Sequence, residues 1–431
     1  MNKRQVVVLW IIAIVLSVAA FLARSSNSEG FESETERARG QTLIADFPAA
    51  QVAKIQLTSG EDATTIVRKD GNWSVENRDG YPANIRVVNE FLRTLAEVEV
   101  TQGIESKPTF APRFGMDPDA KEDSDRGIEI VLSDDAGSEL GHITLGRILE
   151  AGGDPMAMMG GGASGRFIRN HDDESGFYVV SEIFPSVSPE PRIWLKDDFV
   201  KIEKIKSIAV SPKAKLKEID WKVSRADESA DFTLEGAKEG ESLETAQNTS
   251  LKSLLSYSRF ADVVPDDKID DLANPVEKRN IKIETLEGFT YDIGLTAVHA
   301  DQEEASAAGN GTPERTFLMT IDTTAEIPAE RKKDEKETEE DAKTKDEAFA
   351  KRKDELEQRL AADKKLAGIT YRVDLGTVEP LTKDRAQIIA APAAAPAAST
   401  LPAPGAPGAA RRPIQAVTPP ISIPPREPAG E

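Results

Sequence analysis

With 431 residues, the chain is long enough for two ordinary cores, because single cores stop growing near roughly 250 to 300 residues. Its 54 basic and 75 acidic side chains leave a formal charge of −21, which repels phosphate backbones and anionic headgroups and argues against a nucleic-acid partner. The absence of cysteine excludes a thiol nucleophile, a disulfide frame, Cys-ligated zinc or iron–sulfur chemistry and a lipid-modified cysteine anchor.

Residues 1–5 carry Lys3 and Arg4, and Val6 to Ala23 then reads VVVLWIIAIVLSVAAFLA without a charge. Eighteen helical residues rise ~27 Å, close to the ~30 Å hydrocarbon core of a bilayer. The expectation is a single transmembrane anchor over 6–23. Glutamates dominate the stretch that follows, so the positive-inside bias places the N-terminus in the cytoplasm and the C-terminal body outside the inner membrane. A cleaved signal peptide is the alternative, with Ser17-Val18-Ala19 as its cleavage site, but the apolar run exceeds a signal's usual core. Residues 24–49 are expected as a linker.

A first α+β unit is expected over 50–204. Period-2 alternation marks strands at 52–59, 64–69 and 72–77, with an Asp70-Gly71 turn between the last two. Ile85, Val88, Leu92 and Leu95 then stripe one face of a helix over 83–97, with Pro82 at its start. Four further strands follow at 127–133, 140–146, 166–172 and 176–182, interrupted by a Gly/Met-rich loop at 151–165.

The same order begins again at Ile205, so a second α+β unit is expected over 205–390. Its strands fall at 205–211, 218–225, 231–236, 280–287, 289–295, 315–322 and 369–378, with a helix at 245–260 and Trp221 as the expected counterpart of Trp73. A charged helical insertion at 327–367 replaces the tight connection of its last hairpin. Its two ends must meet, so it is expected either to fold back near Lys343 to Asp346 or to be a shorter helix with an extended return. With only Phe349, Leu356, Leu360 and Leu366 as sizeable apolar groups, it reads as a solvated arm, a coiled-coil docking site being the alternative. Residues 391–431, with eleven prolines and no aromatic residue, are expected as a disordered tail.

The fold class is therefore α+β: an N-terminal transmembrane helix, two tandem β-rich units each with one covering helix, the insertion and the tail. No catalytic, cofactor-binding or metal residue is assigned. His142, His171 and His299 lie far apart without an HExxH-like pattern and read as solvated or strand-edge side chains. Met156, Met158 and Met159 could offer thioethers to Cu(I), an adaptable contact loop being the preferred reading. Carboxylates are too abundant for any pair to be informative, and no phosphate-cradling loop or nucleophile elbow is present.

The segments DGNWSVENRDGYPANIRVVNEFLRTLAEV (70–98), FAPRFGMDP (110–118), GIEIVLSDDAGSELGHITLG (127–146) and PRIWLKDDFVKI (191–202) resemble the uncharacterised bacterial family catalogued as domain of unknown function 4340. The resemblance implies a cell-envelope protein often encoded beside subunits of an ABC-type transporter of the gliding-motility kind, whose auxiliary protein is itself anchored and exported. The function expected from it is a non-enzymatic accessory of such a complex. The alternatives are a structural or polysaccharide-contacting envelope protein and, more remotely, a carboxylate-dependent hydrolase.

Overall fold

The alternating apolar residues of the chain line one face each of two antiparallel sheets in a computed structural model, which describes residues 34–149, 165–299, 315–332 and 337–390. The expected anchor at 6–23, nearly all of the Gly/Met loop and the tail at 391–431 lie outside the described residues. Among those described, no helix is long and apolar enough to cross a membrane.

The first sheet is built from β1 (Lys54–Ser59), β2 (Asp62–Lys69), β3 (Asn72–Val75), β4 (Tyr81–Pro82), β5 (Val100–Glu105), β6 (Ile128–Ser133), β7 (Glu139–Leu149), β8 (Gly165–Asn170) and β9 (Gly176–Val180). Their order across the sheet is β4-β3-β2-β1-β6-β7-β8-β9-β5. The second contains β10 (Ile205–Val210), β11 (Trp221–Ser224), β12 (Thr233–Leu234), β13 (Asp262–Val264), β14 (Ala273–Thr285), β15 (Phe289–Val298), β16 (Thr316–Ala325) and β17 (Thr370–Asp374). Its order, β12-β11-β10-β14-β15-β16-β17-β13, repeats that of the first from β3 to β5, with β10 in the place of β1 and β13 in the place of β5 and no counterpart of β4. Even the isolated bridges repeat, Ala83 opposite Leu195 and Leu243 opposite Ile389.

Between β4 and β5 lies α1 (Ile85–Glu97), which buries Val87, Val88, Phe91, Leu92 and Leu95. Ile85, expected on that buried stripe, is 55% exposed as the first residue of the helix, and Val87 joins Val88 on the buried face of that turn instead. Pro82 belongs to β4 rather than to the helix. The second helix, α2 (Thr245–Lys252), is shorter than the expected 245–260, and Leu255 just beyond it takes a left-handed φ of 57°. The edge strand β5 was not expected; Gly103 breaks its alternation, and only its pairing with β9 reveals it. Residues expected as the end of the linker fold onto this sheet, where Leu43 is fully buried and its N–H donates to Val98 O at 3.0 Å.

Trp221 is not the counterpart of Trp73. Trp73 sits on β3 opposite Arg68, whereas Trp221 sits on β11, opposite Val210 of β10, one strand further in. Both are buried, and the Trp221 indole N–H donates to Lys383 O at 2.9 Å.

Among the described residues of the charged insertion, one continuous helix, α3 (Glu339–Asp363), runs through Lys343 to Asp346 without folding back there. It is not wholly solvated. Leu356 and Asp363 are buried at its C-terminal end, and Tyr291 Oη of the second sheet donates to Asp363 Oδ2 at 2.8 Å.

The described residues belong to one compact unit, and a single apolar core runs through both sheets. At the junction, Tyr81 meets Phe260 and Tyr371 edge-on at ring separations of 6.0 and 6.2 Å. Arg78 grips Asp262 in a two-pronged ion pair, Nε to Oδ1 at 2.9 Å and Nη2 to Oδ2 at 2.8 Å.

Candidate functional site

In the first sheet, Leu57, Ile130, Ile143 and Ile168 point into the core, so their strand neighbours must point the other way. That outer face carries two cross-strand rows. One runs Thr58, Glu129, Thr144, Arg169; the next runs Gln56, Val131, His142, with His171 bonding its backbone N–H to His142 O at 2.8 Å. Three adjacent strands thus bring together two histidines that lie far apart in the chain.

Their imidazoles stack face to face, with centroids 3.8 Å apart and planes 7° from parallel. His142 Nε2 is 2.7 Å from Glu129 Oε1, and its Nδ1 is 3.8 Å from Glu139 Oε1. His171 Nε2 lies 2.8 Å from Thr144 Oγ1. Burial, followed by the charges of His142 and Arg169, lowers the His171 pKa to about 4, so its ring is neutral at physiological pH and keeps a lone pair to offer. Both rings are half-buried, His142 on the interior strand β7 and His171 in the turn directly after the interior strand β8, not solvated at an edge.

Beside His171 opens a cleft of about 280 Å³, walled by Ser59, Gly60, Ala111, Met116, Arg126 and Arg169. The segment 108–118 forms one wall, held down by Phe114 against Phe177 at 4.4 Å. Gly127 is required where β6 begins: at φ 74° a Cβ there would lie 3.0 Å from both Gly115 O and Leu145 O.

The pattern does not assemble a nucleophilic relay. A hydroxyl and an imidazole do meet at Thr144 and His171, but the carboxylate that would orient the base bonds His142 instead. Among the described residues, Glu129, His142 and His171 are the one set of three nitrogen or carboxylate donors whose ligand atoms lie within 4.8 Å of one another. Sequence reasoning left all three unassigned; the usable signal was parity, since Glu129, His142 and Thr144 fall on the outward positions of two predicted neighbouring strands.

The second sheet offers a groove of about 440 Å³ at the repeat-related place, where Asp292 and Asp322 stand directly opposite each other with Lys282 beside them. A pair of carboxylates therefore does meet a concave surface, as a hydrolase of that type would need. A third cleft, about 500 Å³, lies at the junction around Arg78, Asp262 and Arg372.

A family model described as Domain of unknown function (DUF4340) matches residues 73–275, which spans most of the first sheet and the start of the second. No curated protein and no solved structure matches the chain.

Proposed function

The chain belongs, through residues 73–275, to the family described as Domain of unknown function (DUF4340), and from that premise we propose that it is a non-enzymatic accessory of an ABC-type transporter complex in the cell envelope. Its apolar run at 6–23 anchors it in the inner membrane with the N-terminus in the cytoplasm, and the two-sheet body stands outside.

The observation that supports binding over catalysis is the shared core. Two sheets joined by the Tyr81, Phe260 and Tyr371 cluster and the Arg78–Asp262 pair hold their outer faces in a fixed relation, which suits a platform that positions partners. The polar outer rows and the formal charge of −21 favour a polar or basic partner surface over an anionic one.

Crosslinking in cells followed by purification in mild detergent tests this reading. Transporter subunits should co-purify with the full chain and be lost when residues 6–23 are replaced by a cleavable signal. Retention on isolated cell-wall material, abolished by deleting 391–431, would favour the structural alternative instead. A C-terminal reporter found inside the cell would remove the proposed location altogether.

A further inference from the structure

The paired imidazoles on the first sheet are not core filler: both are only partly buried, and their rings stack with centroids 3.8 Å apart. We propose that Glu129, His142 and His171 bind one divalent transition-metal ion of the zinc class.

The donor set is two imidazoles and one carboxylate, the combination that borderline metals such as Zn²⁺ prefer. A water or partner group completes the fourth position. Hard Mg²⁺ and Ca²⁺ need more oxygen ligands than this face provides, and soft Cu(I) selects sulfur. For a tetrahedral shell at ~2.05 Å bonds the ligand atoms must lie about 3.3 Å apart, so the His142–Glu129 pair, now at 2.7 Å, opens and the wider separations, all within 4.8 Å, close. Turning the imidazoles about χ2, a soft torsion, brings the two lone pairs together without moving the strands. The ion then takes the place of the hydrogen that joins His142 to Glu129.

The surroundings are consistent with this. Arg169 opposes a cation, but Glu129 and Glu139 both face His142 and outweigh it in charge. At the repeat-related positions the second sheet carries Asp292 and Asp322 with a lysine, so the histidine pair is a property of the first sheet and not of the shared topology.

The test uses the full chain, solubilised in detergent, made without a histidine tag and stripped with a chelator. Zn²⁺ competition against a chromophoric chelator should give one equivalent bound with a Kd of roughly 10 μM or tighter. His142→Ala and His171→Ala should each weaken that site by about 100-fold, since losing even the groups behind a metal's ligands costs 10 to 100-fold. Glu129→Gln, which preserves shape, should weaken it while leaving the circular dichroism spectrum of the metal-free protein unchanged. His299→Ala and a D292N/D322N double variant should bind as the parent does. Co²⁺ in the same site should show the intense visible absorption of a low-coordinate ion, absent from H171A. Binding only at millimolar Zn²⁺, or stoichiometric binding that survives H142A and H171A, or binding lost in D292N/D322N, would overturn the proposal.

Discussion

Phe260→Ala is the most informative perturbation of the fold, because this ring touches Tyr81, Phe199 and Tyr371 in the aromatic cluster that joins the two sheets. It is 3% exposed and lies 6.0 Å from Tyr81, 5.5 Å from Phe199 and 5.3 Å from Tyr371, with the Arg192 guanidinium 4.6 Å above it. Truncating a buried phenylalanine costs about 3–5 kcal/mol, of which each aromatic contact accounts for ~0.5–1.5 and the cation–π contact for ~0.5–1. Against a total stability of about 5–15 kcal/mol, that is roughly a fifth or more of the molecule's margin. Tyr81 and Arg192 come from the first half, Phe260 and Tyr371 from the second, so the loss also falls on the coupling between halves. Urea unfolding followed by fluorescence should show one transition for the parent. In F260A, a Trp73/Trp194 signal, isolated by Trp221→Phe, should separate from the signal of Trp221. A destabilisation under about 1 kcal/mol would refute the reasoning, as would separate transitions already present in the parent, since the shared core would then carry no coupling.

The Arg78–Asp262 pair, with side chains 18% and 27% exposed, should give a coupling of about 1–2 kcal/mol in a double-mutant cycle of R78A and D262A, reduced by added salt. Gly127→Ala forces a left-handed φ on a side chain that meets two carbonyl oxygens, so thermal unfolding should show a loss of more than about 1 kcal/mol. Burial raises the Asp363 carboxyl above its usual range, so this group stabilises the fold most at low pH and loses that contribution as pH rises through its folded pKa. Asp363→Asn keeps an acceptor for Tyr291 Oη without the charge; urea midpoints should show its stability relative to the parent improving from pH 4 to pH 7.

The strands were legible wherever one face met the core and the other met water, as in GIEIVLS and FTYDIGL, because burial imposes period 2 directly on the sequence. β5 was not legible: VTQGIE buries only Val100, and its pairing depends on β9, more than seventy residues away. The tryptophans were mispaired because similarity of residue type was weighed above strand order; the hairpin that places Trp221 next to β10 fixes its rank in the sheet. The histidine cluster was legible only in part. Each ring's outward direction follows from alternation, but their juxtaposition requires the pairing of β7 with β8 across the Gly/Met insertion, which no local pattern encodes.

The charged insertion shows why composition alone misjudged it. α1 covers the first sheet with five buried apolar side chains, whereas the shorter α2 buries only Gln247 and Leu251. The second sheet therefore lacks cover near Phe289 and Tyr291, large side chains that are nevertheless fully buried. The end of α3 and the turn after it supply that cover: Leu356 and Leu366 join the core, Leu360 packs against it, and the Arg359 guanidinium lies 4.9 Å over the Phe289 ring. Arg359 and Arg352 also pair with Glu287 at the turn between β14 and β15. Three leucines, two at the C-terminal end of a long polar helix and one in the turn after it, are too few to stand out from its charges when averaged along the sequence, yet they are enough to close one end of a sheet whose own helix is too short to do it.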